Sequence, residues 1–140
     1  MRIVLDTNAA VSGLLWQGPP QRIMQQAMDD KLALVISPAL LAELEGILHR
    51  PKFARQIAKQ PLSIAGLVLR YGELALIVHP SSIAPVIHHD PADDQVLACA
   101  LAAQADLIVS GDTDLLSLQE YQGIRIVNPA TAIALIEQHP

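Results

Sequence analysis

The sequence predicts an α/β protein: a three-layer α/β/α sandwich around a central, mostly parallel five-stranded sheet. Three observations lead there. Short apolar runs of the kind buried in parallel sheets stand at 2–5 (RIVL), 33–36 (ALVI), 74–78 (LALIV), 107–109 (LIV) and 124–127 (IRIV). Segments with helical spacing separate them. No tight hairpin signal joins any pair, so the connections read as crossovers, which parallel strands require. Right-handed crossovers bring strand ends of one polarity to one edge, and open α/β sheets form their sites outside the carboxyl ends.

At 140 residues, 51% of them hydrophobic, the chain fits a single domain spanning 1–140 that buries about two-thirds of its unfolded surface. Its four aromatics, Trp16, Phe53, Tyr71 and Tyr121, leave the core to Leu, Ile, Val and Ala. A net charge of −5 argues against loose attachment to nucleic acid through a general basic field. Bound divalent ions would offset that charge locally. No apolar run approaches the ~20 residues that span a bilayer, and Met1-Arg2 leads straight into the first strand rather than into a signal sequence. A soluble cytoplasmic protein with no membrane partner is expected. The single Cys99, inside an apolar helix, reads as a small buried filler.

The first strand ends at Asp6-Thr7-Asn8, which puts an acid at a strand's carboxyl end. Residues 9–16 are apolar enough for a helix packed on the sheet, and Gly18-Pro19-Pro20 stops it. A second helix follows at 22–30, with Ile23 and Ala27 inward and Met24 and Met28 as further inward candidates. After the strand at 33–36, Ser37 is a cap and Pro38 starts a helix whose stripe is Leu40, Leu41, Leu44, Ile47 and Leu48. Glu43 sits one turn from both Leu40 and Ile47, so it can point toward the sheet end. Glu45 lies at the opposite border. For each, an ordinary solvated helix acid is the alternative.

The stretch 50–59 (RPKFARQIAK) holds Arg50, Lys52, Arg55 and Lys59, four of the nine basic residues. It reads either as a solvated helix face or as a strip that steers a phosphate backbone. A helix at 61–73, the strand at 74–78 and a polar, proline-containing loop at 79–89 follow. The adjacent histidines of His88-His89-Asp90 lack the spacing of a transition-metal ligand set.

Residues 90–116 (DPADDQVLACALAAQADLIVSGDTDLL) concentrate the acids. Asp90 reads as an N-cap, Pro91 as the first helical position, and Asp93 and Asp94 as first-turn acids. Val96, Leu97, Ala100 and Leu101 keep helical spacing before the strand at 107–109. Ser110-Gly111 ends that strand, and Asp112 and Asp114 either cap the next short helix or belong to a site. After the last strand, Asn128-Pro129 turns the chain into a helix at 130–138 with Ile133, Leu135 and Ile136 inside.

This topology draws Asp6 and Asp112 to one sheet edge, with Asp94 and Glu43 approaching from the sides. Convergent carboxylates raise one another's proton affinity, and a divalent ion is the natural countercharge. An all-oxygen set without Cys or a His pair selects Mg²⁺ or Mn²⁺ over zinc. Such ions usually keep several waters and engage phosphates.

These residues resemble the PIN-domain ribonucleases, including the VapC-type toxins of bacterial toxin–antitoxin pairs. LDTN at 5–8 is similar to the family's opening motif, ELEGIL at 43–48 to its second acidic element, and DDQVLACALAAQADLIVSGDTDLL at 93–116 to its most diagnostic block. The resemblance spans nearly the whole chain. It implies a PIN-like fold, an acidic quartet of Asp6, Glu43, Asp94 and Asp112, and Asp114 as an additional or alternative metal ligand. Asn8 and Ser110 would be neighbours bonded to ligands or to water, and Asp93 stands beside them.

A helical wheel sets Asp93 and Asp94 at similar distances from the apolar face, so only the resemblance selects Asp94; Asp112 and Asp114 stay alternatives for the closer ligand. The implied activity is Mg²⁺- or Mn²⁺-dependent endonucleolytic hydrolysis of single-stranded RNA, steered by Arg50, Lys52, Arg55 and Lys59. A cognate antitoxin and a homodimer or higher homo-oligomer are the implied protein partners. Two other classes compete. A Mg²⁺-dependent aspartyl phosphotransfer or receiver-type domain also uses strand-end acids, but DTN lacks the second acid of a DxD nucleophile motif and no lysine follows the last strand. The other is a catalytically idle PIN-like binding module, against which stands the presence of all four acids.

Overall fold

The computed structural model describes residues 1–86 and 91–138; the expected Asp90 cap and the His88-His89 pair lie outside them. The chain runs β1 (Arg2–Leu5), α1 (Thr7–Leu15), α2 (Pro19–Met28), β2 (Ala33–Ile36) and α3 (Pro38–Leu48). A 3-10 turn (Pro51–Phe53) precedes α4 (Ala54–Ala58), α5 (Ile64–Leu74), β3 (Leu76–Ile77), α6 (Pro91–Ala103) and β4 (Leu107–Val109). The order ends with α7 (Thr113–Leu118), β5 (Glu120–Tyr121), β6 (Ile124–Val127) and α8 (Pro129–Glu137).

The strands form one sheet in the order β3-β2-β1-β4-β6-β5, parallel except for its last pair. Its central strands are apolar on both faces because helices cover both: Ile3, Val4, Leu34, Ile108 and Val109 are wholly buried. The three-layer α/β fold is therefore as the sequence predicts. Gly13 lets α1 and α2 approach: a Cβ there would stand 2.7 Å from the Met24 methyl and 3.1 Å from the Pro20 carbonyl oxygen. Cys99 fills space in α6, its thiol pushed up to about 12 by burial, which leaves it unreactive.

The sheet has six strands where five are expected. Glu120 and Tyr121 pair antiparallel with Arg125 and Ile124 across Gln122-Gly123. Both turn residues have positive φ, 48° and 84°, as a two-residue type I′ hairpin demands. Gln-Gly is a weaker announcement of that turn than Asn-Gly or Asp-Gly, and so the hairpin escapes the sequence reading.

Other boundaries also move. The strand expected at 74–78 shrinks to β3 because α5 continues through Leu74, and Leu76 and Ile77 are half exposed at the sheet edge. Residues 50–59 do not make one helix; Pro51 starts a 3-10 turn and α4 follows it. Met24 is buried, whereas Met28 is exposed.

The strand order places the site. From β1 the chain crosses through α1 and α2 to β2 on one side, while from β4 it proceeds to β6 on the other. The reversal lies between β1 and β4, where neighbouring connections diverge and open a crevice at the carboxyl edge.

Candidate metal centre

Sheet pairing carries through to the first residues of the site. The Asp6 amide donates to the Val109 carbonyl at 2.9 Å, and the Ser110 amide to the Val127 carbonyl at 3.0 Å. Asp6 is then the N-cap of α1, its Oδ1 accepting from the Ala9 amide at 2.8 Å. Ser110, wholly buried, donates its hydroxyl to Asp6 Oδ2, and the same Oγ accepts from the Asp112 amide at 2.9 Å. Asp112 in turn caps α7, Oδ1 accepting from the Asp114 amide at 2.7 Å. Capping and membership of the cleft are thus compatible for Asp6 and for Asp112, since each role engages its own oxygen lone pairs.

A cleft of about 280 Å³ opens above this network, lined by Asp6, Asn8, Glu43, Arg50, Asp93 and Asp112, with Thr7 and Val96 among its walls. Four places in the fold supply the acids: Asp6 follows β1, Glu43 comes from α3, Asp93 from the first turn of α6, and Asp112 caps α7. One carboxylate oxygen each of Asp93, Asp112 and Asp114 lies within 4.8 Å of the others. Two oxygens on opposite sides of one Mg²⁺ stand about 4.2 Å apart, twice the usual bond length. The trio is therefore close to ligating separation. Its donors are all carboxylate oxygen, the chemistry that suits Mg²⁺ or Mn²⁺.

Asp6, only 4% exposed, is the most buried of the cleft's acids, with Asp93 next. Burial pushes its carboxyl above the ordinary value; the Ser110 hydroxyl and the Ala9 amide pull it back, the Asp112 charge adds to the rise, and the Gly111 amide opposes it. A positive ion in the cleft would act on Asp6 in the direction opposite to burial.

Of the four acids of the implied quartet, Asp94 lies outside the lining of this cleft, where Asp93 stands instead. Asp93 is buried in line with Val96, while Asp94 shares the other flank of α6 with Gln95 and Ala98. Successive residues on a helix point about 100° apart, which here turns the two side chains to different hollows. Both Asp94 oxygens instead lie 3.3 Å from the Val86 amide. Of the four candidate basic residues only Arg50 lines the cleft; Lys52, Arg55 and Lys59 are exposed outside its lining, and the Lys52 ammonium stands 5.0 Å from the Phe53 ring centroid. Thr7, buried beside Asp6, was not singled out from the sequence. Its position between the strand-end acid and Asn8 is the signal that finds it.

A doubly wound sheet with a carboxylate-lined cleft at its switch point defines a class of proteins suited to divalent cations and phosphate esters. The family model described as PIN domain matches residues 2–114, and the chain belongs to the PIN-domain family. Among solved structures it is similar to VapBC2 from Rickettsia felis bound to a DNA fragment from their promoter. That match has a TM-score of 0.59 and 15% identity, covering 91% of this chain and 98% of the other. No curated protein matches it significantly in sequence. Among the described residues, no helix is long and apolar enough to cross a membrane.

Proposed function

We propose that this PIN domain is a Mg²⁺- or Mn²⁺-dependent endoribonuclease acting on single-stranded RNA, and the toxin component of a cytoplasmic toxin–antitoxin pair. The observation that carries the reading is the meeting of Asp6, Glu43, Asp93 and Asp112, distant in sequence, in one cleft at the switch point of the sheet. Asp93, Asp112 and Asp114 would hold the ion, with Asp6 beneath them as a further ligand or as the anchor of the site. An ion so held acidifies water and offsets charge on phosphoryl oxygens. Glu43, at the cleft wall, accepts the proton of the attacking water. Arg50 meets the RNA phosphate, and Asn8, exposed at the rim, can hydrogen-bond it.

A VapB-like antitoxin partner, supported by the likeness to a VapBC2 structure, and assembly as a homodimer or higher homo-oligomer belong to the same proposal. The phosphotransfer alternative is disfavoured by the geometry of Asp6. A strand-end nucleophile needs an approachable oxygen, whereas Asp6 is buried, with one oxygen on the Ala9 amide and the other on Ser110.

The test is brief expression of the protein in cells followed by sequencing of newly formed RNA ends. Discrete cleavage sites with the native chain, and none with Asp112→Asn, are expected. Equal cutting by both would remove the proposal.

A further inference from the structure

On the far flank of α6 from the acid cleft lies a second cavity, of about 440 Å³. That size falls within the range of ligand sites and holds a nucleobase with its ribose. Its polar groups are Ser37, His79, Ser81, Ser82, Asp94 and Gln95, and Pro80 and Pro85 give it apolar walls. It opens at the same sheet edge as the acid cleft, because Ser37, which follows β2, and the segment that follows β3 both line it. The Val86 amide, 3.3 Å from both Asp94 oxygens, ties that segment to α6. Asp93 and Asp94, adjacent in sequence, thus mark two hollows separated by the width of one helix, roughly 10 Å.

We propose that this second cavity receives a base of the RNA strand beside the bond that is cut, and so sets the sequence preference of the enzyme. The inference rests on the nuclease reading given above. Single-stranded RNA is read by splaying its bases out of the stack, holding their faces against flat side chains and bonding their edges. The cavity supplies both kinds of contact. Proline rings and the His79 imidazole offer flat surfaces. The Gln95 amide and the serine hydroxyls each offer a donor and an acceptor, which suits the mixed edge of a base. The cavity also meets the start of α3 at Ser37-Pro38, where backbone dipoles favour the phosphate that must accompany the base. In a protein of net charge −5, that local positive end helps a polyanion to approach the cavity.

The experiment is cleavage of a randomised single-stranded RNA pool with Mn²⁺, with sequencing of the ends, for the native chain, Gln95→Ala, Ser81→Ala and the double variant. The double variant is expected to lose about tenfold in base preference at a position flanking the cut, the worth of one or two hydrogen bonds. Mn²⁺ affinity should stay unchanged. Gln95→Glu, at an exposed helix position that tolerates the change, is expected to shift the preferred base by replacing a donor with an acceptor; it keeps the test open if the double variant misfolds. Cleavage with the native preference in Gln95→Glu and in every folded variant would overturn the subsite alone. A native chain that cuts no RNA in the pool would overturn the nuclease reading and the subsite with it.

Discussion

Ser110 donates its buried hydroxyl to Asp6 Oδ2, joining the ends of β4 and β1 across 104 residues of sequence. The same oxygen accepts the Asp112 amide, so one side chain positions two acids of the cleft. Ser110→Ala strands a buried carboxylate oxygen and a backbone amide at once. A loss of about 1–3 kcal/mol is expected, with weaker Mn²⁺ binding. Urea denaturation checks it, and an unchanged midpoint would show that the contact is replaceable.

The burial of Asp6 makes a pH prediction. Its folded-state pKa is raised, so the native protein holds the proton more tightly than the unfolded chain does. The stability it contributes is fully present below the ordinary value of about 3.9 and is lost as pH rises through the raised value. Asp6→Asn stays neutral and can keep the cap through its amide oxygen. In chelator it should melt above the native chain at neutral pH, with the gap closing toward about pH 4. Thermal melts across that window decide; a gap independent of pH contradicts the assignment.

Arg50 is the one candidate basic residue at the cleft. Arg50→Ala should weaken RNA binding by roughly tenfold and reduce the salt slope of binding by about one unit, with Mn²⁺ affinity kept or improved. Lys52→Ala, Arg55→Ala and Lys59→Ala should each matter less, because all three lie outside the lining. Filter binding at several salt concentrations separates the two groups, and equal effects would spread the RNA contact over the whole basic strip.

Gly123 holds a φ of 84° in the β5-β6 turn. Gly123→Ala should cost about 1–2 kcal/mol, because a Cβ disfavours that backbone conformation. Since the turn stands at the amino end of β6, opposite the carboxyl edge that carries the acids, cleavage at low temperature should persist. A variant as stable as the native chain in urea would show that the sixth strand adds little.

Most of the fold is legible because its signals are local. The LDTN and VSGD segments end buried strands, and Ser37-Pro38 and Asn128-Pro129 open helices where the capping bonds are found. The hairpin at Gln122-Gly123 was hidden because its positive φ values sit on a residue pair that does not advertise them. The site was legible in kind and not in detail. Periodicity alone gave Asp93 and Asp94 equal standing, and the resemblance favoured Asp94. What puts Asp93 in the cleft is the rotation of α6 against the sheet, set by the packing of Val96, Leu97 and Ala100. Arg50 stands out in sequence with three neighbours because charge shows there, while which of the four borders the cleft is settled by how the chain turns at Pro51–Phe53.

The most direct measurement of the central claim compares Asp93→Asn with Asp94→Asn by calorimetric Mn²⁺ titration and by cleavage of a labelled single-stranded RNA. Asp93→Asn should lose at least about tenfold in Mn²⁺ affinity and about a hundredfold in cleavage rate, while Asp94→Asn keeps Mn²⁺ affinity within about threefold of native. Loss of the ion in Asp94→Asn with Asp93→Asn unaffected, or full Mn²⁺-dependent cleavage in both, would contradict a metal centre built on Asp93 and Asp112.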